Sequence, residues 1–294
     1  MLERRFIDYY AASSRVDRLV AERDVVLTYV LKVLSDNSVL QSLAFKGGTC
    51  LKKIYLGRTG RFSMDLDFTA VERATWSLQR RINQVLNGRS HYDIAFRILE
   101  EYSRPRESYG AIVEYSHDWN KGQFKLEVSF REKPILKVLP FRILEELYFR
   151  YCEFKSFEVP CVKMEEVLAE KIRATYQRMS ARDLYDLYLF VDEPYDRELV
   201  SRLAVLKLWE AREPFDPDTF LLRVEQERLS FSELRNLVRT GLLPSRENIV
   251  RAILDGYSYL KSLDDGLRTI IRDSKTHRRK GLVEELKNRL SQKS

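Results

Sequence analysis

The sequence predicts an α+β fold: a mixed sheet with flanking helices in residues 1–160, followed by an all-helical domain in residues 161–294. Apolar residues recur at helical spacing over the first 42 residues, alternate with polar residues over residues 64–155, and return to helical spacing after Pro160. Alternation is typical of half-buried strands, and helical spacing is typical of amphipathic helices. The second change of period therefore places the predicted domain boundary near residue 160.

The N-terminal segment is predicted to be helical up to a glycine turn. Its apolar residues recur near helical spacing at Leu19, Val20, Val25, Val26, Tyr29, Val30 and Val33. The pattern breaks at Lys46-Gly47-Gly48-Thr49, where glycine permits a tight turn. A short helix with Leu51 and Ile54 on one side is expected to follow, and a loop around residues 57–60 to end it.

The middle of the chain is predicted to form the sheet. Alternation is clearest over residues 64–69, 92–98 and 125–130, and one helix, about residues 71–87, separates the first two segments. Further strands are expected at 111–117 and 151–158. After Pro160, helices are expected near residues 163–180, 181–191, 197–211, 217–227, 231–239, 246–262 and 281–290.

The composition narrows the classes of function. A hydrophobic content of 44% with 32% charged residues argues against a disordered chain. The formal net charge of +7 favours an anionic partner such as nucleic acid or a nucleotide, although a solvated surface also explains it. Three scattered cysteines and three histidines offer little for a zinc site, a disulfide framework or a histidine-based triad. No apolar run approaches the roughly 20 residues of a membrane span, so a cytoplasmic protein is expected.

The segment Met64-Asp65-Leu66-Asp67-Phe68 carries the most specific chemical signal. Side chains two positions apart on a strand share a face, so Asp65 and Asp67 lie side by side while their apolar neighbours enter the core. Two adjacent carboxylates repel each other, and a divalent cation removes that repulsion. The alternative is an exposed acidic strand.

The glycine turn upstream strengthens the interpretation as a metal site. Paired glycines let the backbone approach a phosphate group, and Thr49 can cap the following helix or bond a phosphate oxygen. A turn with an ordinary helix cap explains Gly47-Gly48-Thr49 taken alone. Followed by a helix, a loop and the aspartate strand, the turn predicts a phosphate cradle facing a metal site.

These residues resemble the first motif of the AbiEii/AbiGii (MenT-like) nucleotidyltransferase toxins, which belong to the DNA polymerase β-like superfamily. The similarity lies in Gly47-Gly48-Thr49, Leu51 and Lys52, and the segment Arg61–Phe68. Residues 50–64 separate the two halves of the motif, which is longer than the superfamily's usual dozen or so residues. The resemblance implies a nucleotidyltransferase-like sheet, Asp65 and Asp67 as catalytic ligands of Mg²⁺ or Mn²⁺, and nucleotide binding by Lys46, Gly47, Gly48, Thr49, Lys52 and Ser63.

The resemblance also implies a third acid on a neighbouring strand. Glu127 lies on the polar face of the segment 125–130 and is the first candidate, either as a metal ligand or as a base for the incoming hydroxyl. Glu114 is the reserve candidate. A solvated strand carboxylate is the alternative.

A second group of residues lies in the predicted helices 163–180 and 181–191. Lys171 falls within the apolar stripe of the first helix, so it needs an anionic partner or a cleft unless it extends along the stripe to water. The second helix is apolar almost all round, so Asp183 and Asp186 should find cationic partners, for which Lys171 and Arg182 are expected. Structural ion pairing alone explains this pattern equally well.

Lys171 followed by Arg182-Asp183-Leu184-Tyr185-Asp186-Leu187 also resembles the later motifs of the same family. That resemblance implies that Lys171 contacts the nucleotide phosphates and that Asp186 completes the catalytic group. It also places Arg178 and Asp183 among the nucleotide-binding residues.

By resemblance, the expected reaction is transfer of a nucleoside monophosphate from an NTP to RNA, transfer RNA included, or to a protein. The expected role is the toxin of a toxin–antitoxin or phage-defence pair with a cognate antitoxin. One alternative is an inactive nucleic-acid-binding protein of the same shape, and another is a phosphotransferase that moves the γ-phosphate. Residues 272–280 form a basic cluster that suits either a nucleic-acid face or a solvated helix end. The aromatic residues occupy core-like positions and predict no stacking platform.

Overall fold

The computed structural model describes residues 3–71 and 75–292, which divide into two compact units. The first, called the sheet unit, comprises residues 1–134, 138–162 and 236–241. The second, called the helical unit, comprises residues 135–137, 163–235 and 242–294. The mixed sheet and the helical C-terminal region confirm the predicted α+β fold.

The sheet unit begins with two helices, α1 (Arg4–Ser14) and α2 (Arg18–Asp36). The side chain of Asp17 caps α2 by accepting a hydrogen bond from the Leu19 amide at 2.7 Å. A 3-10 turn (Val39–Ser42) leads into strand β1 (Leu43–Lys46), and the glycine turn opens the short helix α3 (Gly47–Cys50). This helix continues as a π-helical segment, Leu51–Leu56, so the helix predicted after the glycine turn is confirmed.

The other strands are β2 (Asp65–Ala70), β3 (Arg89–His91), β4 (Ile94–Arg104), β5 (Ser108–His117), β6 (Asn120–Ser129), β7 (Leu139–Arg142) and β8 (Glu158–Cys161), and helix α4 (Thr75–Leu86) follows β2. In the described part of the chain they form an eight-stranded sheet of order β3-β4-β5-β6-β2-β1-β8-β7. Strand β2 runs parallel to β6, and β1 runs parallel to β8; the other neighbours are antiparallel. One face carries the apolar core, which includes Phe45, Leu66, Phe68, Leu126 and Val128.

Several predicted elements of this unit need correction. The strand predicted at 151–158 is wrong: a 3-10 turn (Leu147–Tyr151) precedes an irregular stretch, and β8 begins only at Glu158. Strands β1 and β7, of four residues each, lack a long enough alternation to be predicted. The predicted helix 71–87 is confirmed as α4, although residues 72–74 lie outside the described part of the chain.

The helical unit contains α5 (Met164–Arg178), α6 (Ala181–Leu189), α7 (Arg197–Glu210), α8 (Pro217–Gln226), α9 (Arg246–Gly256), α10 (Asp265–Asp273) and α11 (Lys280–Gln292). The helix predicted at 231–239 is wrong, because only a 3-10 turn (Ser232–Asn236) forms there. The chain enters the sheet unit at residue 236, where the carbonyl of Leu237 accepts a hydrogen bond from the Phe62 amide at 2.7 Å. The prediction also missed α10 and extended α9 beyond its end. Among the described residues, no helix has the length and apolar character needed to cross a membrane.

Candidate active site

The two aspartates lie side by side on one face of β2. Asp65 and Asp67 are partly exposed, whereas the intervening Leu66 and the following Phe68 are buried. Strand geometry alone produces this arrangement, because successive side chains point to opposite faces of a sheet. The predicted pairing of the two carboxylates on a common face is therefore confirmed.

The neighbouring strands add charged residues to the same face. Lys46 on β1 lies opposite Asp67, and on the other side β6 places Lys125 opposite Asp65 and Glu127 opposite Asp67. Residues that lie directly opposite each other across strands share a face. Sheet register therefore brings residues of β6 next to residues of β2 that lie about 60 positions earlier in the sequence.

The glycine turn packs directly against the aspartates. A Cβ atom built on Gly47 would lie only 2.3 Å from Oδ2 of Asp67, and Gly47 has a left-handed φ of +77°. Both features require glycine at this position. The hydroxyl of Thr49 donates a hydrogen bond to the carbonyl oxygen of Asp65, which ties the turn to β2. The juxtaposition of turn and carboxylates that the sequence predicts is confirmed.

The second glycine of the turn faces the residues that precede β2. A Cβ atom built on Gly48 would lie 3.0 Å from a terminal nitrogen of Arg61 and 3.0 Å from Oγ of Ser63. Ser63 therefore lies at the turn, as the resemblance implies. Arg61 is an additional cation at this point, and its Nη1 donates to the carbonyl of Phe62 at 3.1 Å.

The donor set on β2 suits a hard divalent cation. Two carboxylates on one strand face provide oxygen ligands, and the absence of a Cβ at Gly47 lets the backbone of the turn lie against the carboxylate of Asp67. The backbone amide of Lys125 donates to Oδ1 of Asp65 over a long 3.4 Å. Within residues 3–71 and 75–292, no group of three carboxylate, histidine or cysteine side chains is arranged to hold a metal.

Glu127, the predicted third ligand, has other partners in this structure. Its Oε1 lies 2.9 Å from Nζ of Lys125 and accepts a hydrogen bond from the hydroxyl of Tyr102 at 3.1 Å. Burial by itself lowers the pKa of Lys125, but hydrogen bonding to Glu127 and Tyr102 outweighs burial and raises the pKa above its usual value. The ammonium therefore stays charged beside Glu127.

The reserve candidate, Glu114, lies farther along the sheet. It is on β5 opposite Gln123, four residues before Glu127 on β6, which corresponds to about 13 Å along the strand. Its Oε1 also accepts a hydrogen bond from Arg97 at 2.8 Å. Register thus separates Glu114 from Asp67 and places Glu127 beside it.

Lys52 lies in a buried ion cluster rather than at the glycine turn. Its Nζ is 2.9 Å from Glu146 Oε1 and 3.6 Å from Asp24 Oδ2, and its side chain is only 2% exposed. The neighbouring Lys53 donates to Asp24 at 2.9 Å and to Thr28 at 2.7 Å. We name Asp24, Lys52, Lys53 and Glu146 the sheet-unit ion cluster. These contacts show that Lys52 forms buried ion pairs within the sheet unit, and its contact with the nucleotide stays a prediction.

The second group of predicted residues meets in the helical unit. Nζ of Lys171 on α5 lies 3.0 Å from Asp183 Oδ1 and 2.7 Å from Asp186 Oδ2, both on α6. The expected pairing with Lys171 is confirmed. Arg182 is not the second partner, because it pairs with Glu233 at 2.9 Å.

Arg178, and not Arg182, is the second cationic partner of Asp183. Its Nε donates to Asp183 Oδ2 at 2.6 Å, and the Ser180 hydroxyl donates to the same oxygen at 2.7 Å. Burial alone would raise the pKa of Asp183, but Lys171, Arg178 and Ser180 hold it well below its usual range. We name Lys171, Arg178, Asp183 and Asp186 the helix-pair ion cluster.

Comparison with known proteins gives one family and two informative structures. The sequence model of the family described as "Nucleotidyl transferase AbiEii toxin, Type IV TA system" matches residues 29–255. MenT4, a nucleotidyltransferase toxin from Mycobacterium tuberculosis H37Rv, is 25% identical, with a TM-score of 0.83 over 99% of this chain and 100% of the toxin. A Helicobacter pylori protein classed as a nucleotidyltransferase shares the fold at 18% identity and a TM-score of 0.50, over 85% of this chain and 99% of that protein. A search of curated proteins returned no match.

Proposed function

This chain belongs to the AbiEii family of nucleotidyltransferase toxins, and on that premise we propose that it transfers a nucleoside monophosphate from an NTP to an RNA acceptor. The observation that carries the proposal is the contact between Gly47 and the carboxylate of Asp67. A backbone that can approach phosphate groups thereby lies next to paired oxygen ligands. Phosphoryl transfer needs both features, since positioning and charge neutralisation supply most of its catalysis.

In the proposed reaction, the amides of Gly47 and Gly48 donate to the triphosphate while Arg61 and Ser63 flank it. The acceptor hydroxyl loses its proton to solvent and attacks the α-phosphorus in line, the bond from that phosphorus to the bridging oxygen breaks, and pyrophosphate leaves. Asp65 and Asp67 would hold Mg²⁺ or Mn²⁺, which neutralises phosphate charge and lowers the pKa of the acceptor hydroxyl when bound. Glu127 already contacts Lys125 and Tyr102, so we propose that it is a positioning residue and not a metal ligand.

The helix-pair ion cluster is the second part of the proposed machinery. Lys171 and Asp186 match the later motifs of the family, and two carboxylates fix the position of the ammonium. We propose that Lys171 contacts the nucleotide phosphates and that Asp186 orients Lys171. Arg178 and Asp183 support the same lysine.

The segment 272–280 favours RNA over protein as the acceptor. Its cations are exposed and its one acid is turned inward: Asp273 is buried and accepts from Trp209 Nε1 at 3.1 Å and from the amides of Arg278 and Arg279 at 2.9 Å each. His277 stacks on Trp209 with ring centroids 3.8 Å apart. The segment thus presents several exposed positive charges, which favour binding to a phosphate backbone. Its exposed cations are Arg272, Lys275, Arg278, Arg279 and Lys280.

The family description supplies the biological role. We propose that the chain is the toxin of a type IV toxin–antitoxin pair with a cognate antitoxin partner. Within the described residues its three cysteines form no disulfide bond, and we propose that the reaction takes place in the cytoplasm.

Transfer from α-³²P-labelled NTPs to total RNA tests the proposal. We expect wild type to label RNA in the presence of Mg²⁺, and Asp67→Ala to lower the rate by on the order of a thousandfold with an unchanged circular dichroism spectrum. Glu114→Gln is the matched control on the same sheet face and should retain activity. Labelling by the Asp67 variant at the wild-type rate would refute the assignment.

The same assay separates the rival functions. Label that comes from γ-³²P-ATP and not from α-³²P-ATP would indicate a different phosphotransferase. RNA binding that is independent of Mg²⁺ and of Asp65, without any transfer, would indicate an inactive nucleic-acid-binding protein. Growth arrest on expression, lost with Asp67→Ala, is the expected cellular result.

A further inference from the structure

The side chain of a tyrosine extends over the sheet beside the carboxylates. Register places Asp67 on β2, Glu127 on β6, Gly110 on β5 and Tyr102 on β4 in one continuous row. Directly opposite residues share a face, so the row extends the face of the carboxylate pair across four adjacent strands. Gly110 is about two strand spacings, or roughly 10 Å, from Asp67, which is the scale of one nucleotide.

Glycine at position 110 makes room for the aromatic ring. A Cβ atom built on Gly110 would lie 2.1 Å from Cζ of Tyr102, so the ring occupies the space that any other residue would need. The Tyr102 hydroxyl donates to Glu127 at 3.1 Å, which fixes the ring in this orientation. Two contacts thus hold the ring against the sheet, one beneath it and one at its polar tip.

The ring remains open to solvent although it is held in place. Tyr102 is 39% exposed, and Nζ of Lys125 lies 5.4 Å from the ring centroid. The buried tyrosines Tyr109 and Tyr115 on β5 enter the core, so Tyr102 differs from them in position and exposure. A fixed, exposed aromatic ring with a cation next to it is the usual form of a platform on which a nucleobase stacks.

We propose that Tyr102, supported by Gly110 and held by Glu127, is a nucleobase-stacking platform of the active site. This inference rests on the proposed function and adds a binding subsite to it. The stacked base belongs either to the incoming NTP or to the acceptor RNA, since both contain planar aromatic bases.

Steady-state kinetics of Tyr102→Ala tests the platform and identifies the base. Stacking on an aromatic ring contributes enough that its loss should raise one Michaelis constant by about tenfold, with little change in kcat. A higher KM for NTP alone assigns the platform to the incoming nucleotide, and a higher KM for RNA alone assigns it to the acceptor. Tyr102→Phe keeps the ring and should stay close to wild type. Unchanged KM values for both substrates in Tyr102→Ala would overturn the proposal.

Two further variants separate the platform from general effects on folding. Tyr9→Ala removes another exposed tyrosine, 52% exposed on α1, and should leave both KM values unchanged. Gly110→Ala should displace the ring and reproduce the KM of Tyr102→Ala, while the double variant should be no worse than Tyr102→Ala alone, because both changes act through one ring. An additional rise in KM in the double variant would count against the proposed support by Gly110.

Failure of the platform and failure of the proposed function give different results. A wild-type protein that transfers no nucleotide refutes the function itself. A wild-type protein that transfers normally, with Tyr102→Ala equal to it in both KM values, refutes the platform alone.

Discussion

The sheet-unit ion cluster and the helix-pair ion cluster use the same residue types, lysine and acidic side chains, at similar distances. They differ in exposure. Lys52 and its partners are buried, whereas Lys171 is 12% exposed and Arg178 is 65% exposed. An aromatic ring packs against the first cluster: Nζ of Lys52 lies 4.6 Å from the ring centroid of Phe62. Of the two clusters, the second is the one whose cationic side chains are accessible to solvent.

The comparison shows that the distance of a residue from a motif along the sequence does not decide which partners its side chain finds. Lys52 follows the glycine turn by three residues, yet Lys52 and Lys53, both on the π-helical segment, have buried partners: Lys52 donates to Glu146 and Lys53 to the carbonyl of Asp24. A buried ion pair is weak support for stability in itself, but removing one partner is costly because a buried charge remains. We therefore expect variants of the two clusters to affect different measurements.

Replacing the lysine of the helix-pair ion cluster should have the largest effect on catalysis. If Lys171 has the proposed role, Lys171→Met is expected to lower kcat/KM by on the order of a thousandfold, because the proposed donor to a phosphate oxygen is lost. Labelling of RNA from α-³²P-NTP measures the rate, and circular dichroism reports whether the helices persist. A folded variant that transfers at the wild-type rate would remove Lys171 from the machinery and leave it with a structural role alone.

Replacing the lysine of the sheet-unit ion cluster should affect stability instead. Lys52→Met is expected to lower the free energy of unfolding by about 3 kcal/mol, since Glu146 and Asp24 each lose a buried cationic partner. Urea unfolding measures this loss, and kcat per folded molecule should stay within about twofold of wild type. Normal stability with a raised KM for NTP would indicate that Lys52 binds the nucleotide, as the sequence predicts. The two clusters would then not differ in function.

The pH dependence of stability should distinguish Asp183 within the helix-pair ion cluster. Its folded pKa lies below the ordinary value of 3.8, so its contribution is complete above that value and is lost as pH falls toward the folded pKa. Asp183→Asn should therefore reduce the free energy of unfolding by about 2 kcal/mol at pH 7, and the difference from wild type should narrow below about pH 4. Urea unfolding at pH 7, 5 and 3 measures both values. A difference that is constant with pH would mean that charge on Asp183 does not stabilise the protein.

The sequence predicts the parts of the site that lie within single elements. Asp65 and Asp67 share a face because they are two apart on one strand, and Asp183 and Asp186 share a face because they are three apart on one helix. The sequence analysis did not identify Gly110, although glycine in a strand often marks the close approach of another group. The partner of Gly110 could not be read from the sequence.

Local spacing thus determined the α+β class, the carboxylate pair, the glycine turn and the meeting of Lys171 with α6, because each depends on the repeat of one strand or helix. Tertiary structure decided which strands are neighbours and in which register. It placed Glu127 beside Asp67, Tyr102 over Gly110 and Lys52 beside Glu146. Asp67 and Glu127, like Lys52 and Glu146, lie far apart along the chain, whereas Tyr102 and Gly110 lie on consecutive strands. All three contacts follow from strand order, register and packing, which local periodicity does not specify.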